Sequence, residues 1–261
     1  MPLPNKLILA LAVLFAAAAV HAAESEENTL GVLFRLHAQS PSGDVAVCTA
    51  ATPAVAALGP GAYRAAARAL LGWRLLRSGK PAEAKPVYQA LLDDPASPPA
   101  FTELARRWLT RLDREAVREA LQKMWTDTIL YPPSLDTLPA PLPPMRDRWG
   151  SAWRYRPVIL KRLKTESQRY TLESAGLGAD SDLAAALARP WPKEPSLRAV
   201  AVNTDAGATP VVTFQTRQAP AEKTLMAEGK TAGGLALVKT GARALLIVEG
   251  DYVHLVPQPG N

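Results

Sequence analysis

The sequence predicts an α+β chain: N-terminal helical hairpins, then a helix packed on a small antiparallel sheet, then a small all-β C-terminal module. Three observations predict this. Apolar residues recur at helical spacing from Ala62 to Leu92 and again from Arg114 to Thr128. Six prolines between Tyr131 and Pro144 forbid regular helix there and enforce an extended path. From Ser196 onward, short β-branched and apolar runs alternate with Gly, Asp and Pro. The 261 residues are 48% hydrophobic and 21% charged, which is enough to bury cores and excludes wholesale disorder. A net charge of +6 is too mild by itself to indicate a nucleic-acid partner.

The elements follow in order. Residues 1–22 are expected to form a signal peptide, with Lys6 as the positive start, an apolar run from Leu7 to Val20, and Val20-His21-Ala22 at the cleavage site. That run would extend roughly 21 Å as a helix, short of the ~20 residues a span needs, and polar Glu24-Ser25-Glu26-Glu27 follows at once. The expected location is therefore the periplasm or envelope; retained, the segment would be an N-terminal anchor. Absence of cysteine at the cleavage site argues against a lipoprotein. Residues 23–59 show little periodicity and are expected to be a linker or irregular segment, with one short element near Leu30–His37. The single cysteine, Cys48, has no intramolecular partner and is expected to act as a small buried hydrophobe.

Residues 60–112 carry a helical stripe, Ala66, Ala69, Leu70, Trp73 and Leu76, then a Ser78-Gly79-Lys80-Pro81 stop and a second helix from Ala82 to Leu92. Gly72, Gly79, Ala84, Tyr88 and Leu92 fall where a tetratricopeptide repeat keeps its small and large packing residues, and the stretch resembles one. Pro86 inside the second helix and the lack of a second full copy depart from that pattern. A third helix is expected from Arg114 to about Thr128, with Asp113 as its cap.

Residues 113–192 carry a more specific pattern. An Ala- and Leu-containing helix runs into Tyr131-Pro132-Pro133-Ser134-Leu135, then Asp147-Arg148-Trp149-Gly150, then Tyr170-Thr171-Leu172-Glu173-Ser174-Ala175-Gly176. From Asp113 to Leu187 this resembles the soluble domain of the major pseudopilin of type II secretion systems. The resemblance implies a helix on a short sheet, with Trp149 plugging the helix and Gly150 allowing the turn beside it. It also implies calcium in the loop after the last strand, where Asp180 and Asp182 are the candidate ligands, although Asp182 is equally placed to cap a helix Leu183–Ala188. The type IV prepilin start of that family is missing, so polymerisation through an apolar N-terminal helix is not implied. Within residues 196–261, Leu225 to Pro257 resembles small periplasmic β-domains of secretion coupling proteins and pilus-assembly lipoproteins.

Chemistry is sparse. Gly229-Lys230-Thr231 lacks the upstream glycine of a phosphate loop, Gly176-Leu177-Gly178 lacks a third glycine, and no Gly-x-Ser-x-Gly elbow occurs. His37 and His254 stand alone, without zinc-ligand spacing. The pairs Glu26-Glu27 and Asp93-Asp94 are expected to be solvated. Between Arg146 and Arg169, eight basic residues face two acidic ones. Of these, Arg154, Arg156, Lys161, Arg162 and Lys164 are candidate contacts for an acidic partner or anionic headgroups if they share a face; strand alternation otherwise leaves them solvated. The expected function is a non-enzymatic interaction protein, without cofactor, of a type II secretion or pilus-like envelope machine, its partners other envelope proteins and not nucleic acid. The alternatives are a periplasmic helical-repeat adaptor unrelated to secretion, or a hydrolase whose groups converge from distant segments.

Overall fold

The computed structural model describes residues 25–40, 44–162, 165–204, 209–216 and 222–260, with the backbone alone at 160–162 and 165–167. The proposed signal peptide and Lys164 lie outside these residues. Five helices come first: α1 (25–39), α2 (Asp44–Ala57), α3 (Ala62–Arg77), α4 (Pro81–Asp93) and α5 (Pro99–Thr128). The expected linker at 23–59 is thus two core helices. Leu30 and Leu33 of α1, and Val47 and Ala51 of α2, are buried in the same core as α3 to α5. Nearly every residue of α2 is small or apolar, so it shows no contrasting polar face, although its alanines favour helix. Glu26 and Glu27 are also not left to solvent. Glu26 Oε1 accepts the Gly59 N–H at 2.8 Å, and Glu27 accepts the amides of Ala242 at 2.8 Å and Arg243 at 2.9 Å.

The hairpin of α3 and α4 forms as expected, with Gly79 at φ 74 in the turn. Gly72 is needed there because a Cβ would lie 2.6 Å from the Tyr88 ring. Helix α5 runs 30 residues without a break, so Asp113 is mid-helix and caps nothing. Its buried carboxylate instead accepts Lys85 Nζ at 2.9 Å and Arg148 Nε at 2.6 Å, which removes its reason to interrupt the helix.

The C-terminal part forms two antiparallel sheets, β3 (Leu197–Asn203), β4 (Val211–Thr216) and β5 (Lys223–Ala227), and β6 (Thr231–Ala232), β7 (Leu235–Thr240), β8 (Ala244–Glu249) and β9 (Tyr252–Pro257). The first four of the six residues of β7 and the middle four of β8 are buried, because both sheet faces are covered. Ala236, Val238, Leu246, Val248 and Val253 join the helical core; Leu235, Leu237, Leu245 and Ile247 pack on Val212, Phe214 and Met226 of the smaller sheet. The result is three layers: helices, four-stranded sheet, three-stranded sheet.

A second, smaller core sits at the far end of α5. Val117 and Leu121 pack on Leu135, Leu138, Trp153 and Leu172, bringing in the hairpin of β1 (Arg154–Arg162) and β2 (Thr165–Glu173). Residues 161–162 and 165–168, in a polar stretch, are strand. Trp153, not Trp149, fills this core: Trp149 is half-buried, its ring against Gly176, where a Cβ would come within 2.6 Å. The turn around Trp149 is organised by buried Asp147, which accepts the Ser174 hydroxyl at 2.7 Å and the amides of Ser151 and Trp149 at 2.9 and 3.1 Å. Burial pushes the Asp147 carboxyl up, but these donors together hold it below the ordinary aspartate value.

Helices and sheet are locked by one buried charge cluster. Asp251, in the β8–β9 turn, accepts Arg107 Nε at 2.7 Å and Arg111 Nη2 at 2.8 Å. Arg111 is fully buried and lies 4.6 Å over the Trp108 ring. Burial raises the Asp251 carboxyl, yet the two guanidiniums outweigh it and leave it depressed.

Candidate functional site

A groove of about 1430 Å³ lies between α1, the C-terminal end of α3, segment 190–193 and strand β9. Its walls are held by α1. Apolar Leu30 and Leu33 turn one face of α1 to the core, and Gly31 brings its backbone to β9, where a Cβ would touch Leu255 at 4.0 Å. Arg74 of α3 clasps the C-terminal end of α1, donating Nη2 to the carbonyls of His37 and Ser40, both at 3.0 Å, and pairing Nη1 with Asp44 at 2.8 Å.

The floor is aromatic. His37 meets Trp191 edge-on at 4.7 Å and Trp73 at 5.8 Å; Trp73 and Trp191 cross at 4.9 Å, and Trp191 meets Tyr252 at 5.3 Å. Pro190 and Pro192 restrict the backbone on either side of Trp191 and thereby fix its display. Arg74 Nε donates to His37 Nδ1 at 3.1 Å, so Nδ1 is the acceptor and the imidazole proton lies on Nε2. Burial, the Arg74 charge and neighbouring His254 bring the His37 pKa down to about 3. Burial lowers His254 to about 4 against the opposing pull of Glu249. Both imidazoles are therefore neutral at pH 7.

Two polar atoms of this lining lack a partner among the described residues. Trp73 Nε1 and His254 Nε2 are buried and make no hydrogen bond, the latter lying 3.8 Å from Glu249 Oε2. An unpaired buried polar group costs ~1–3 kcal/mol, and a ligand that supplied a partner would recover it. The rim is basic. Exposed Arg35, Lys193 and Arg243 make no ion pair among the described residues, and Arg77 lies 5.3 Å over Trp73. The acidic residue in the lining, Glu27, has its oxygens occupied by backbone amides.

No family model, curated protein or solved structure matches the chain. The function must therefore be argued from this site.

The residues singled out from sequence lie elsewhere. Asp182 Oδ1 caps α6 (Leu183–Ala188) by accepting the Ala185 amide at 2.8 Å, and Oδ2 pairs with Arg114 at 3.0 Å. The amide bond and Arg114 depress its carboxyl against the effect of burial. Asp180 has Arg189 3.4 Å from its side chain, and its carbonyl accepts Arg111 Nε at 2.8 Å. Donors and cations already occupy the oxygens a calcium ion would need, and no group of three or more His, Cys, Asp or Glu converges among the described residues. The residues present do not fit the ion. Arg154 and Arg156 lie exposed on the outer face of the β1–β2 hairpin, and Lys161 and Arg162 follow at the other end of β1, paired in register with Glu166 and Thr165 where the chain passes into β2. Cys48 is half-buried against the main core, where burial, foremost, raises its thiol pKa.

Sequence reasoning missed the groove because its parts come from five separate stretches. His37 and His254 have no ligand spacing, yet the fold makes them neighbours. The Pro190-Trp191-Pro192 triplet was the one local signal, a large ring between two rigid residues.

Proposed function

We propose that the chain is an exported, non-enzymatic interaction protein of the cell envelope, serving a type II secretion or pilus-like assembly, and that its groove receives an acidic segment of a partner protein with apolar side chains. The observation that carries this is the groove itself, which combines an aromatic floor with buried unpartnered polar atoms under a rim of unpaired cations. Aromatic and arginine side chains in desolvated pockets contribute most to protein recognition, and a basic rim selects acidic partners. Among the described residues no helix is long and apolar enough to cross a membrane.

The approach of His37 to His254 favours a hydrolase as the second reading, because general bases are commonly histidines. Against it, pKa values of about 3 and 4 make both imidazoles weak bases at neutral pH. Neither one holds a hydroxyl or thiol by a hydrogen bond among the described residues.

The test is photocrosslinking in the native envelope from a probe at Ala38, in the groove, with a probe at Lys223, on the outer sheet, as control. The proposal expects a partner captured through an acidic segment from Ala38 alone, and lost in Arg35→Glu/Arg243→Glu. Identical products from both positions, or products that survive the charge reversal, would contradict it. Partners from another pathway would favour the adaptor reading.

A further inference from the structure

The groove runs along an open sheet edge. The four-stranded sheet has the order β6-β7-β8-β9, so β9 bonds to a neighbouring strand on one side alone. The Gln258 N–H donates to the Arg243 carbonyl at 2.8 Å, and the β8–β9 register continues from there without a bulge. Antiparallel ladders alternate. Tyr252, His254 and Val256 therefore turn their main-chain groups toward β8, and Val253, Leu255 and Pro257 turn theirs outward. Among the described residues no hydrogen bond satisfies the outward groups of Leu255 and Pro257. Val253 is fully buried, so the accessible edge begins at half-buried Leu255. It ends at exposed Pro257, which offers a carbonyl and no N–H.

This edge is part of the groove wall, and α1 runs beside it. Glu27 of α1 binds the β7–β8 turn, next to the Pro257 end of β9. At the other end His37 meets Trp191, which meets Tyr252. From Glu27 to Ala38 a helix rises about 16 Å, the length of about five residues of strand. Such a slot suits an extended chain. A helix satisfies its own main chain and would cover the Leu255 N–H and C=O without pairing them, whereas a strand bonds both. The unpaired cations at the rim, Arg35, Lys193 and Arg243, select acidic residues in that chain.

Given that the groove is a recognition site, we propose that it takes its ligand as a strand: an extended segment of a partner protein, with acidic and apolar residues in alternation, adds to the free edge of β9 and bonds to the main chain of Leu255 and Pro257. The residue opposite Leu255 shares its side of the sheet, and the residues before and after it share the side of His254 and Val256. Alternate side chains thus reach different walls, which is why alternating chemistry fits a floor that is aromatic and a rim that is basic.

The test is NMR titration of the full chain with a blocked peptide of alternating Leu and Asp, and with analogues of it N-methylated at every Leu or at every Asp. Strand addition should move the Leu255 amide proton downfield and slow its exchange with solvent, together with indole shifts at Trp73 and Trp191. One methylated analogue, having lost the donors that face β9, should bind roughly 10-fold more weakly than the parent, and the other should stay within about 3-fold of it. Shifted indoles with an unchanged Leu255 amide, or equal affinities of the two analogues, overturn the added strand and leave the groove as a site that reads side chains. No response at either the indoles or Leu255 overturns the groove as a recognition site and the strand with it.

Discussion

The two halves of α5 serve opposite purposes. Its first half, with Phe101, Leu104, Trp108 and Leu109 fully or almost fully buried, runs through the main core and carries the arginines that grip Asp251. Its second half buries only Val117 and Leu121 in a small core and ends among exposed apolar side chains. One end spends its charges inside the molecule, and the other leaves its hydrophobes outside. A buried ion pair must be complete to be tolerated, whereas an exposed apolar side chain adds little to the fold. The first half holds the layers together, and the second holds only the distal hairpin.

The sharpest way to break this contrast is at Asp251. Asp251→Ala leaves Arg111 charged and fully buried, and should lower stability by about 3–5 kcal/mol, read from the urea midpoint. A change below about 1 kcal/mol would show that the joint does not hold helices and sheet together.

The distal core offers the matching test. Trp153→Ala should cost about 3–5 kcal/mol as a loss of a buried aromatic, and Trp149→Ala, half-exposed, distinctly less. Equal losses would restore Trp149 as the plug that the sequence suggested.

Acid separates the ends more gently. His37 and His254 fold with pKa values of about 3 and 4, below the unfolded value near 6.5. The unfolded chain then binds more protons in that interval, so stability falls as pH drops from about 6.5 toward 4. At pH 5 the loss is about 2 kcal/mol per histidine. Double-jump unfolding between pH 7 and 5 should show this slope, and His37→Gln/His254→Gln should flatten it. A slope unchanged in the double variant would place the titrating groups elsewhere.

Much of the architecture was legible in local pattern. The Gly79 turn and strands β3, β4, β7, β8 and β9 followed from residue type and period, Gly72 and Tyr88 were marked by the resemblance to a tetratricopeptide repeat, and capping was one of the two readings of Asp182. What escaped had physical causes. Helix α2 is small and apolar on all sides, so its stripe had no contrast. Asp113 looked like a helix start because its two cationic partners, Lys85 and Arg148, are far away in sequence. Strand β5 is short, with two of its five residues exposed and only one buried, so it offers little pattern to read. The groove was invisible because its lining comes from separate stretches of chain, and burial, with the Arg74 charge beside His37, turned two isolated histidines into a neutral pair.

The most direct measurement is of the six tryptophan indole N–H resonances during titration with peptides that carry Phe or Leu between Asp or Glu residues. The account predicts saturable shifts at Trp73 and Trp191, little change at Trp149 and Trp153, and loss of the response in Arg35→Glu/Arg243→Glu. Unchanged Trp73 and Trp191 signals, or shifts that persist in the charge-reversed variant, would contradict the groove as a recognition site.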